Sequence, residues 1–204
     1  MPYGSEPTEP GLVIPFSANV IEGLNFFGQP LGPGDSTYDA TQFTTKIAAV
    51  GVWFEGYDTT HLAETPRVYL LPAGDDVLRP RNTDNRLRYW NVAEQLLPLP
   101  YVLGEADMAD PSWIASNDGL SGQIFNRKPY ASFRAYPYQA DFIPNQMNTD
   151  TRLIGRSVWN TRWVLVIPGS TLLADSQDGI ETFMADVDDI YIYFQTYAYA
   201  GTRR

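Results

Sequence analysis

The chain contains no cysteine, a single histidine (His61) and two lysines against twelve arginines. Without cysteine there is no disulfide, no thiolate nucleophile and no Cys-based zinc site. One histidine leaves too few ligands for the usual nitrogen and sulfur zinc centres. No apolar run approaches the ~20 residues that span a bilayer as a helix. The opening "MPYGSEPTEPG" has neither the cationic start nor the apolar core of a secretory leader. P-loop and dinucleotide fingerprints are missing. So is the strand–turn–helix nucleophile elbow, since "GRSVW" around Ser157 lacks the second glycine. Cations are scarce too. A formal charge of −10 and a pI near 4.4 argue against a phosphate backbone as partner and against adsorption to anionic membranes.

What is present is apolar, aromatic and acidic. With 44% hydrophobic and 14% aromatic residues over 204 positions, the chain can bury a sizeable core. Residues 1–10 read as a proline-rich arm, and residues 11–204 as one domain. Strands are expected at "GLVIPF" (Gly11–Phe16), "TTKIAAVGVWFEGY" (Thr44–Tyr57, with Gly51 as a bulge) and "RVYLLPAG" (Arg67–Gly74). Others are expected within "RLRYWNVAEQLLPLPYVLG" (Arg86–Gly104), in "ASFRAYPY" (Ala131–Tyr138, broken at Pro137) and in "RSVWNTRWVLVIPG" (Arg156–Gly169). The continuous apolar run of the last marks a central strand. One helix is credible, "DSQDGIETFMAD" (Asp175–Asp186), with Ile180, Phe183 and Met184 on one face and Asp175 or Ser176 as cap. Short strands between Gly/Pro/Asn/Asp loops predict an all-β, antiparallel sandwich. Its long connections suit a jelly roll, with the one short helix before the final strand. Residues 105–129 form the longest unpatterned stretch, a length that marks either function or a subunit contact.

The final strand, "DDIYIYFQTYAYAG", carries the most specific pattern. Tyr191, Tyr193, Tyr197 and Tyr199 alternate with Ile190, Ile192, Phe194 and Ala198, giving one tyrosine face and one aliphatic face. Each tyrosine can bury roughly 150–250 Å², so a fully wet row would be unusual on a monomer. Burial within the chain, a contact with another protein or copy, and a stacking platform for sugar rings are the three uses. Trp113, in the long loop, is the outlying contact, and Trp53 and Trp90 are further aromatic candidates. Among the carboxylates, Asp186, Asp188 and Asp189 ("ADVDD") are the best oxygen donors for a structural calcium ion. Arg156 and Arg162, in an otherwise apolar strand, are expected to pair with carboxylates. His61 reads as a loop histidine.

Taken together, "RVYLLPAGDDVLRP", "SFRAYPY", "RLIGRSVWNTRWVLVIPGSTLL" and "DDIYIYFQTYAYAG" resemble a C-terminal β-rich module of very large bacterial proteins related to insecticidal toxin complexes. The resemblance runs from about Lys46 to Gly201. It implies a docking or binding domain of a released or surface assembly and brings no catalytic residues with it. The expected function is therefore a non-enzymatic binding or assembly module, with a protein partner or a homo-oligomer. A carbohydrate-binding module with structural calcium is the alternative. A glycosidase-like enzyme is the second alternative and would need two opposed carboxyls. No nucleic acid partner and no membrane span are expected.

Overall fold

The computed structural model describes residues 9–32, 35, 42–64, 66–80, 86–91, 131–137, 147 and 153–200. Among these described residues nine strands and one α-helix follow in order: β1 (Gly11–Ala18), β2 (Gln42–Glu55), β3 (Arg67–Pro72), β4 (Asp75–Leu78), β5 (Arg88–Asn91), β6 (Ala131–Arg134), β7 (Tyr136–Pro137), β8 (Asn160–Pro168), a 3₁₀ turn (Gly169–Thr171), α1 (Ser176–Asp186) and β9 (Asp189–Ala200). They form an all-β sandwich with the helix directly before the last strand.

The larger sheet is built around β8. β1 pairs antiparallel along one of its edges, from Gly11↔Pro168 to Ala18↔Asn160. β3 pairs along the other edge, continued by β4, and β5 and β6 add outer strands. β8 is thus central, as its unbroken apolar run requires: Trp163, Leu165 and Ile167 are fully buried on the inner side, and Val164 and Val166 are half-buried on the outer. Early and late strands interleave in the order β1-β8-β3-β6, in keeping with a jelly-roll-like path.

The smaller sheet runs β7-β2-β9. β2 and β9 pair antiparallel from Gln42↔Ala200 to Glu55↔Asp189, while β7 meets β2 in parallel at Trp53 and Phe54. The break in "ASFRAYPY" falls at buried Ala135, not at Pro137. Ala135 donates its N–H to Pro66 O, and the chain passes there from β6 in one sheet to β7 in the other. Ile47, Val50, Val52, Phe54 and Phe194 of the small sheet meet Val68, Leu70, Trp163, Leu165 and Ile167 of the large one, which makes the core.

Two further expectations are corrected. Gly51 is not a bulge. The pairing of β2 with β9 skips a residue between Phe43 and Lys46 and again between Ile47 and Ala49, both extra residues lying on β2. At Gly51 a Cβ would sit 2.1 Å from Cη2 of Trp53, so the missing side chain is the space the indole fills. In α1, Met184 is 64% exposed, whereas Gly179 and Phe183 are buried. The helix lies so close to the 3₁₀ turn that a Cβ on Gly179 would meet Gly169 O at 2.9 Å, and this rotates the buried stripe away from Met184. Asp175 caps α1 as expected, its carboxylate accepting from the N–H groups of Gln177 and Asp178. Glu9 and Pro10, at the end of the expected arm, are anchored to the 3₁₀ turn: Ser170 N–H donates to Glu9 Oε1 and Gly169 N–H to Pro10 O.

Candidate functional site: the outer face and edge of the last strand

β9 turns its aliphatic side inward. Phe194 is buried against Phe26, Phe27 and Trp163, and Ile190 and Ile192 pack onto the same cluster. The tyrosines consequently line the outer face of the β2/β9 ribbon, as alternation requires. Their surroundings split the row in two.

At the start of the strand, Tyr191 lies opposite Trp53 and Tyr193 opposite Gly51. The Trp53 indole, 3% exposed, meets the Tyr193 ring edge-on at 5.4 Å, and Tyr193 stacks on Tyr191 at 6.4 Å. The Tyr191 hydroxyl donates to Glu55 Oε2 at 2.8 Å. This half is an aromatic cluster satisfied within the chain. At the end of the strand, Tyr197 is 41% and Tyr199 55% exposed. Tyr199 stacks on Phe43 at 5.8 Å, and the Tyr197 hydroxyl reaches toward Gly155. Between the halves, on the same face, stands exposed Gln195. Its odd position in "YIYFQTYAY" already puts it there, and the tyrosine pattern draws attention away from it. Trp53 joins the cluster. Trp113 lies outside the described residues, as do residues 105–129, and the side chain of Trp90 is likewise not described.

The three aspartates named for calcium diverge. Asp186 aims Oδ2 at His61 Nδ1, 3.6 Å away. Asp188 lies with Oδ2 against Gly56, and Asp189 accepts the N–H of Ile190. Among the described residues no three His, Asp or Glu side chains are grouped so as to hold a metal ion.

His61 stands in a turn fixed by Asp58. Oδ1 of Asp58 accepts from both the N–H and the hydroxyl of Thr60, and those two bonds are the main cause that holds its carboxyl below the usual range. Asp58 Oδ2 lies 3.5 Å from His61 Nδ1. Both carboxylates are therefore within ion-pair reach of the imidazole and beyond hydrogen-bond distance. Ser170 and Thr171 line the same shallow groove as His61, but Thr171 Oγ1 bonds to the carbonyls of Arg67 and Pro168. Nearby, burial pushes the Tyr57 hydroxyl well above its ordinary pKa, and it donates to Ala63 O.

A second polar group is structural. Asp76, 5% exposed, accepts from Asn160 Nδ2 at 2.9 Å and from Arg156 Nη1 at 3.3 Å, which joins β4 to β8 and to the segment before it. Arg156 thus pairs as expected. Arg162 does not: it falls on the outer, solvent side of β8 and is exposed, with no carboxylate bound to it among the described residues.

Comparison of the chain with protein-family models, with curated proteins and with solved structures finds no match.

Proposed function

We propose that this chain is a non-enzymatic binding and assembly module. It docks to a protein partner or to copies of itself through the outer face and edge of β9. One observation carries the reading: the final strand keeps its aliphatic side in the core, and its C-terminal half presents Tyr197 and Tyr199 to solvent on the face of Gln195, at what is a sheet edge among the described residues. Exposed tyrosines held by a rigid strand supply large contact area at little cost in side-chain entropy, which is why such residues anchor protein interfaces. The resemblance of "GRSVWNTRW" and "IPGSTLL" to terminal modules of toxin-complex-related proteins agrees with a docking role.

Sedimentation velocity on the wild-type chain and on a Tyr197→Ser/Tyr199→Ser variant tests this, with circular dichroism as the check on folding. The expected result is association at micromolar concentration, weakened roughly tenfold or more by the double substitution, since each buried aromatic anchor contributes on the order of 1–2 kcal/mol. A strict monomer overturns self-assembly, and equal association of the two proteins overturns the role given to the tyrosines.

A glycan platform is the second reading. It is favoured by the stacked Tyr199–Phe43 pair, whose Tyr199 ring is 55% exposed on the same strand face as polar Gln195. Titration with oligosaccharides, followed by tryptophan and tyrosine fluorescence, tests it. Saturable quenching that disappears in the double variant supports it, and a flat titration removes it.

A further inference from the structure

The edges of the two sheets are guarded very unequally. A strand edge offers a row of unpaired N–H and C=O groups, and proteins blunt such edges with proline, charge, bulges or shortness. β1 carries Pro15, β5 is four residues long with Arg88, β6 is four residues long with Arg134, and β7 is two residues long and ends in Pro137. β9 is twelve residues long, has no proline, and carries a single charge, Asp189, at its very start. From Ile190 to Ala200 it contains no charge and no proline, and both bulges of its ladder belong to β2. Among the described residues its outer edge has no strand beside it.

The outer face of this strand also reads the same in both directions. Reading outward from Gln195 in "YIYFQTYAY", Tyr193 corresponds to Tyr197 and Tyr191 to Tyr199. An antiparallel pair of identical strands is related by a two-fold axis, and residues directly opposite share a face. An axis at Gln195 therefore sets Tyr193 opposite the partner's Tyr197, Tyr191 opposite the partner's Tyr199, and the two Gln195 amides opposite each other. Aromatic pairs directly across antiparallel strands are among the favourable ones, and an amide offers both a donor and an acceptor to its own copy. Asp189, the only charge of β9, falls at the far ends of the paired strands, away from its copy. Other occupants of a bare edge would not need this symmetry.

We propose that the partner at this edge is a second copy of the chain. The two β9 strands pair antiparallel about Gln195 and join the small sheets into one continuous sheet in the order β7-β2-β9-β9-β2-β7. This inference rests on the assembly reading above and adds its geometry.

Gln195 is exposed, so its substitution leaves the monomer fold intact. Gln195→Lys and Gln195→Glu each place like charges opposite one another across the axis, and cross-strand like charges are destabilising. Native mass spectrometry of each variant alone should show the dimer reduced at least several-fold from wild type. A mixture of the two should restore it as a heterodimer. Equal dimer in all samples, or no heterodimer on mixing, overturns strand pairing about Gln195. If the Gln195 variants associate like wild type while Tyr197→Ser/Tyr199→Ser does not, assembly stands and this geometry falls. If wild type is a strict monomer, both fall.

Discussion

At the scale of single residues, alternation carries far and then stops. The odd-numbered tyrosines of β9 do share one face, as the sequence predicts, because a strand allows nothing else. That Tyr191 and Tyr193 are half-buried and Tyr197 and Tyr199 exposed is not legible in the sequence. Trp53, some 140 positions earlier in the chain, lies over Gly51 and meets the Tyr193 ring edge-on. The same limit divides the two arginines. Both were expected to be paired, yet only Arg156 reaches a buried carboxylate, because β8 turns Arg162 to solvent. Removing Asp76 takes the carboxylate away from both Arg156 and buried Asn160. Asp76→Ala should therefore cost about 3–5 kcal/mol, whereas Arg162→Ala should stay within about 0.5 kcal/mol. Urea denaturation of the two variants checks this, and similar midpoints would contradict it.

At the scale of elements, nearly every strand that carries the sandwich was visible as an apolar or alternating run, and α1 was found by its cap and its spacing. What sequence periodicity misplaced were local irregularities. Glycine in a strand reads as a bulge, yet the bulges of β2 flank Thr44, with φ of 53°, and Ala48, while Gly51 stays regular and makes room for an indole. Filling that space should be unfavourable. Gly51→Ala forces Trp53 off its present position, at a cost of about 1–3 kcal/mol for an overpacked site, and disturbs the Trp53–Tyr193 contact. Thermal melting together with near-ultraviolet circular dichroism reads both effects. An unchanged aromatic signal with an unchanged Tm would show that the indole does not need the gap.

At the scale of the whole molecule, fold class followed from local pattern, but sheet order did not. Nothing local says that β1 lies beside β8 or that the chain changes sheets at Ala135, since those pairings join residues more than a hundred positions apart or turn on a single buried alanine. Among the described residues, that order leaves β9 as the long strand at an edge that has no proline and no charge beyond Asp189 at its start. The central claim is that this edge is a site of association. Residue-resolved amide hydrogen exchange by NMR, at low and high protein concentration, tests it most directly. Alternate amides of β9, those pointing away from β2, should exchange readily in dilute solution and become protected as concentration rises, while the β2-facing amides stay protected throughout. Exchange along β9 that is identical at both concentrations would contradict the account.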